Sequence, residues 1–302
     1  MLNWRLITRI LGFLLFIEAG LMFLCQLVCW IYGEGMDDFV LPICVALLLG
    51  GLGVLLGRNA GKSMGRKDGY IIVSFIWVLF TLIGMLPFLL GNHVPDVASA
   101  FFETMSGFTS TGATIIDDVD SMPHGILFWR SLTQWIGGIG IVFFTIAILP
   151  AFGVGEVKLF AAESTGPLHD KVHPRISIAV RWIGGVYIAL TLLCVIALLM
   201  CGMPLFDAVN YSLCTTATGG YGTHSSLLGE YYHSPAIEYV LIFFMFVSGI
   251  NYTLIYYTIL KGKVKKFFDN MELRTYLIIV LGASLACAVT LAVEVPGYGV
   301  EY

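Results

Sequence analysis

The sequence predicts an all-α integral membrane protein built around a helix, re-entrant helix, helix unit that occurs twice. Three observations predict it. Of the 302 residues, 58% are hydrophobic and 12% charged, with a mean hydropathy of +0.88. A soluble domain carries about 25% charged residues. The apolar residues fall in continuous runs, without the ~10-residue alternating segments of a membrane barrel. Two polar, glycine-bearing inserts, Phe102–Thr114 and Phe206–Thr223, interrupt those runs at matching places.

Seven segments approach the ~20 apolar residues needed to span a bilayer. They are Leu6–Ile31, Phe39–Leu56, Tyr70–Leu90, Ile126–Leu149, Ile176–Met200, Ile237–Leu260 and Tyr276–Val293. The N-terminal basic patch leads into a long apolar run with no small-residue cleavage site, so the first segment is expected to be retained. The organisation expected is a two-helix extension over 1–68, one repeat over 69–175, a second over 176–270, and the start of a third over 271–302. The chain ends where a third insert would begin, which suggests a truncated product. The seven cysteines lie mostly inside apolar runs and form no CxxC pair, so they are expected as small buried hydrophobes.

Orientation follows from lysine and arginine, which favour the cytoplasmic side. With the N-terminus inside, Arg130 alone of the sixteen basic residues falls outside, leaving fifteen on one face. Both inserts then lie on the outer side in the same orientation. Polar backbone at membrane depth is tolerated only where it is buried in protein or lines water. Each insert supplies a short helix followed by a strip. Ala100–Gly107 precedes Phe108–Thr114. Asp207, expected as an N-cap, precedes Ala208–Cys214 and then Thr215–Thr223. Backbone carbonyls in such a strip can replace the hydration shell of a cation, and glycine permits the angles that turn them inward. A Thr/Gly-rich outer loop is the plain alternative for one insert, and the second matching copy argues against it.

These residues resemble the membrane subunit of the Trk/Ktr/HKT superfamily of potassium transporters, most closely the TrkH type. Phe101–Thr114 resembles its first pore helix and filter. Arg130–Ile141 is similar to the start of the following helix, Ala162–Ile176 to a cytoplasmic connection, and Phe206–Thr223 to the second pore helix and filter. The resemblance implies four repeats around a pseudo-fourfold axis, each giving one filter strip with one key glycine. Two extra helices precede the first repeat. Gly112 is the expected first key glycine. Gly219 and Gly220 compete for the second. Thirteen positions separate Ser99 from Gly112 and Asp207 from Gly220, which favours Gly220. The carbonyls of Ser110, Thr111, Thr218 and Gly219 are expected to face the ion. The third and fourth filters, and the gating loop of the third repeat, are absent.

The function implied is potassium uptake across the inner or plasma membrane, with sodium or proton coupling open. Potassium is the only metal expected at the filter residues, with no covalently bound cofactor and no nucleic acid. Expected partners are the lipid bilayer, a cytoplasmic nucleotide-binding subunit of the TrkA/KtrA type and a second copy in a homodimer. Two alternatives are a non-conducting or regulatory membrane subunit and an outward-facing membrane enzyme. No clustered His, Glu or Cys set supports an enzyme, and Gly57–Ser63 is one residue short of a nucleotide-binding loop.

Other residues carry narrower expectations. Glu103 in the first short helix needs a partner, because a carboxylate at membrane depth is costly. Arg130 is expected to pair with it structurally. Asp117, Asp118 and Asp120 follow the first strip and suggest an outer vestibule that concentrates cations; a solvated acidic loop is the alternative. Glu18, midway along the first span, is expected to face protein, with a proton relay as the alternative.

Overall fold

In the computed structural model, the structure describes residues 2–61, 66–148, 173–226, 228–252, 254, 255, 258 and 269–294. Packing divides the chain into two units, 1–245 and 246–302. The first unit opens with α1 (Trp4–Tyr32), whose 29 residues rise ~1.5 Å each and so exceed the ~30 Å hydrocarbon core. Asn3 caps its start by accepting from the Leu6 N–H at 3.2 Å. Gly33, in the left-handed region at φ 69°, ends it.

Helix α2 (Asp37–Leu56) returns against α1 along a seam of glycines. A Cβ at Gly12 would lie 2.6 Å from the Gly50 carbonyl oxygen, and one at Gly53 would lie 2.8 Å from that of Thr8. Lipid tails are as apolar as leucine, so membrane helices associate largely through such close backbone packing. Helix α2 buries Phe39, Pro42, Ala46 and Gly50, spaced three and four apart. Leu48, Leu52, Leu55 and Leu56 stay exposed on its other faces.

The span expected over Tyr70–Leu90 is one candidate membrane span, Lys67–Leu90, divided at Met85 into α3 (Arg66–Gly84) and α4 (Leu86–Leu90). Proline has no N–H to donate and clashes with the preceding turn, and Pro87 stands at the start of α4. The short helix α5 (Val97–Phe108) and the long α6 (His124–Ile148) follow. Side chains from α1, α3, α5 and α6 make the larger core, with Met22, Phe80, Ala100, Phe108 and Trp129 among its members. The Phe108 ring lies 5.5 Å from Phe80 and 6.2 Å from Trp129. Trp129 donates its indole N–H to the Gly84 carbonyl at 2.9 Å, which satisfies a polar group that the core would otherwise strand.

The pattern then recurs as α7 (His173–Met200), α8 (Leu205–Thr216), α9 (Leu228–Tyr232) and α10 (Pro235–Ser248). Cys194, Leu198, Met203, Ala208, Ile237, Leu241 and Phe244 form a second core around α8. The sixth expected span ran to Leu260. The described helix stops at Ser248, and residues 253, 256, 257, 259 and 260 lie outside the described set.

The second unit contains α11 (Met271–Glu294), capped by Asn270, whose side chain accepts from the Leu273 N–H at 3.1 Å. Tyr276 donates to the Phe246 carbonyl at 3.0 Å and stacks on its ring. Five helical segments among the described residues are long and apolar enough to cross a membrane, namely Trp4–Tyr32, Asp37–Leu56, Lys67–Leu90, Arg181–Met200 and Met271–Val293.

Candidate functional site: two matched strips

The short helices α5 and α8 have 12 residues each. Their first and last residues differ by one constant: 205 − 97 = 108 and 216 − 108 = 108. The same offset relates the turns that end them. The Ser110 N–H reaches the Gly107 carbonyl at 2.8 Å, and that of Thr111 reaches Ser106 at 2.9 Å. The Thr218 N–H reaches Thr215 at 3.0 Å, and that of Gly219 reaches Cys214 at 2.9 Å. Ser110 and Thr218 both sit in the left-handed region, at φ 53° and 51°. Held non-glycine residues there cost about 1–3 kcal/mol each. In this register Thr111 matches Gly219, and Gly112 matches Gly220.

The strips touch at those glycines. Gly112 has φ 77°, and a Cβ on it would lie 2.5 Å from the Gly220 nitrogen and 2.7 Å from its Cα. Gly219 is crowded from elsewhere, by the side-chain amide of Gln134. Each short helix delivers its C-terminal end to its strip, and that end of a helix carries partial negative charge favourable to cations.

Helix α6 runs behind both strips and holds them. Arg130 Nε lies 2.9 Å from Glu103 Oε1, with the two side chains 2% and 0% exposed. The other guanidinium nitrogens donate to Thr114 Oγ1 and to the Gly222 carbonyl, both at 3.1 Å. Glu103 also accepts from the Thr114 hydroxyl at 3.0 Å and the Ile115 N–H at 3.0 Å. The Tyr221 hydroxyl donates to the Glu103 carbonyl at 2.5 Å, and the Arg130 guanidinium lies 4.2 Å from the Tyr221 ring centroid. One buried ion pair thus joins α5, the end of the first strip and the second strip. Two turns later on α6, Gly137 lets the Phe108 carbonyl approach so closely that a Cβ would collide with it.

The family model for TrkH, described as a cation transport protein, matches residues 36–295. The chain belongs to the TrkH family. It is 38% identical over 295 residues to the Trk system potassium uptake protein TrkH of Salmonella typhimurium, covering 96% of this chain and 60% of that protein. It is 37% identical to the TrkH of Escherichia coli over the same shares. The crystal structure of the potassium transporter TrkH from Vibrio parahaemolyticus matches with a TM-score of 0.85 at 32% identity, covering 98% of this chain and 62% of that one. The chain therefore spans about 60% of the length of the curated relatives it matches. It is a multi-pass, all-α membrane protein with the TrkH fold.

In this TrkH-family chain, Asp207 does not cap α8. Pro204 holds the N-cap position and the helix begins two residues before Asp207, which lands in the buried first turn. There it accepts from the Thr223 hydroxyl at 2.8 Å and the Tyr232 hydroxyl at 2.6 Å. Asp207 thus ties the end of the second strip to its helix, as Glu103 does for the first. The two carboxylates do not share a register position, since Glu103 matches Tyr211, so no fixed spacing betrays the likeness. Gln134 also escaped the sequence reading. Its signal is the four-residue step from Arg130, which puts both on one helix face.

Asp117, Asp118 and Asp120 are exposed. Asp120 binds His224 Nδ1 at 2.7 Å and the Ser225 N–H at 3.0 Å, so it links the loop after the first strip to the loop after the second. The His224 hydrogen bond, more than any other contact, holds the Asp120 carboxyl below the usual carboxylate range. Glu18 is 1% exposed, and neither carboxylate oxygen has a hydrogen-bond partner among the described residues. No group of three His, Cys, Asp or Glu residues that could hold a metal ion occurs among the described residues. Four lysines, Lys261, Lys263, Lys265 and Lys266, and most of the Ala162–Ile176 connection lie outside the described residues.

Proposed function

We propose that this chain contributes two of the filter strips of a potassium uptake pathway. The observation that carries the reading is the matched pair of strips. Two helices of equal length end in the same left-handed turn and bring Gly112 and Gly220 into contact. The family, and relatives named as potassium uptake proteins, support potassium as the ion. In this reading the carbonyls of Ser110, Thr111, Thr218 and Gly219 face the ion, beside Gly112 and Gly220. Arg130 and Glu103 tie the two strips to each other and to α5. Asp117, Asp118 and Asp120 form the outer rim.

The division into a leading hairpin over 1–68, repeats over 69–175 and 176–270, and a third begun over 271–302 belongs to the same proposal. So do the cytoplasmic N-terminus and the inner or plasma membrane, which rest on the basic-residue asymmetry. A cytoplasmic nucleotide-binding subunit of the TrkA/KtrA type and a homodimer remain partners to be tested. The membrane potential supplies ~2.3 kcal/mol per charge per 100 mV for inward movement. Uptake by the full-length protein in a potassium-uptake-deficient cell tests the reading. Gly112→Ser and Gly220→Ser are expected to lower potassium over sodium selectivity at normal abundance. Unchanged selectivity in both would remove the filter assignment.

A further inference from the structure

Between the two strips lies a side chain of α6 whose atoms serve both. Gln134 is fully buried. Its backbone carbonyl accepts from the Ser110 hydroxyl at 3.2 Å, on the first strip. Its side-chain Oε1 accepts from the N–H groups of Gly220 at 3.3 Å and Tyr221 at 3.4 Å, on the second. A Cβ at Gly219 would collide with that same oxygen.

In a trans peptide the N–H and C=O point in opposite directions across a rigid plane. The chain has no cis peptide among its described residues. Drawing the Gly220 N–H toward α6 therefore turns the Gly219 carbonyl away from α6. Drawing in the Tyr221 N–H does the same to the Gly220 carbonyl. With the strips read as the ion path, the side away from α6 is the ion side. The amide's other end, Nε2, is buried and has no hydrogen-bond partner among the described residues. The acceptor half of the group is thus the half in use.

We infer that Gln134 is a positioning residue for ion selectivity, aiming the Gly219 and Gly220 carbonyls by capturing the N–H groups behind them. The inference rests on the filter reading above. It says which atom matters, so the test separates acceptor from shape. In the full-length protein, Gln134→Met keeps an unbranched chain of similar length and removes the oxygen. Gln134→Glu keeps an acceptor oxygen in either protonation state and replaces only the unpartnered Nε2.

Potassium and sodium uptake are measured in a potassium-uptake-deficient cell, with membrane abundance checked for each variant. Gln134→Met is expected to lower the potassium-to-sodium ratio roughly tenfold, the scale of one or two hydrogen bonds. Gln134→Glu is expected to keep the ratio within about twofold of the parent, well inside what one hydrogen bond supplies. Equal loss in both variants, or no loss in either, overturns the inference. If Gln134→Met leaves no protein in the membrane, Gly219→Ala carries the test, because its Cβ lands on the Gln134 oxygen. A parent-like ratio for Gly219→Ala at normal abundance then overturns it. Gly112→Ser is run in parallel. If it shifts selectivity while Gln134→Met does not, the inference alone fails. If neither shifts it, the filter reading fails.

Discussion

At the scale of single residues, Arg130 and Asp120 make opposite kinds of ionic contact. Arg130 and Glu103 are both sealed from solvent, where losing one partner strands a charge at a cost of about 3–5 kcal/mol. Arg130→Gln is therefore expected to lower thermal stability and membrane abundance sharply. Adding Glu103→Gln should restore part of the loss, because a neutral pair strands no charge. Melting of the detergent-solubilised variants checks both outcomes. Asp120 sits in an exposed loop, where ion pairs contribute little. Its carboxyl is held low in the folded chain, chiefly by His224. Its contribution is thus complete above the ordinary carboxylate value of about 3.9, and fades as pH falls through the lower folded value. Asp120→Asn should lie below the parent in melting temperature at pH 6, and the gap should close as acid protonates the parent.

At the scale of elements, the short helices were legible in outline and displaced in detail. The thirteen-residue count from Ser99 and Asp207 has the same 108-residue offset as the two helices, because both inserts carry the same helix and turn. The helix starts were read late, since Asp207 looks like a cap and Pro204 is a less familiar one. Tertiary contacts with Thr223 and Tyr232 decide what Asp207 does, and no local pattern encodes them. Hydropathy does not signal the turn at Met85, because the run from Tyr70 to Leu90 is apolar throughout and still makes one candidate span, Lys67–Leu90; Pro87 marks the turn. The glycine seam of α1 and α2 gives a sharper forecast. Gly53→Leu places atoms against the Thr8 carbonyl and the Gly12 backbone. Overpacking of this kind costs typically 1–3 kcal/mol, and more against backbone that cannot step aside. Limited proteolysis of membranes should show the leading hairpin released in that variant and protected in the parent.

At the scale of the whole molecule, hydropathy made the membrane class and most of the helices legible. It depends only on composition along the chain. The contact between strips was not legible, because Gly112 and Gly220 are distant in sequence and their approach is a tertiary contact. The contact has a consequence for paired substitutions. Residues that touch do not respond independently, so Gly112→Ala and Gly220→Ala together should depart from the sum of their separate effects on selectivity. Additive effects would mean that the strips act apart.

The reach of Arg130 across to Gly222 also sets a clock. The two residues are separated by 92 positions. At a synthesis rate of about 5–20 residues per second, the arginine is made roughly 5–18 seconds before its last acceptor. For that interval the Arg130 guanidinium has Glu103 and Thr114 to bind but not Gly222. The first repeat is thus a scaffold awaiting its neighbour, and the order of the repeats along the chain becomes the order in which the pair of strips is sealed.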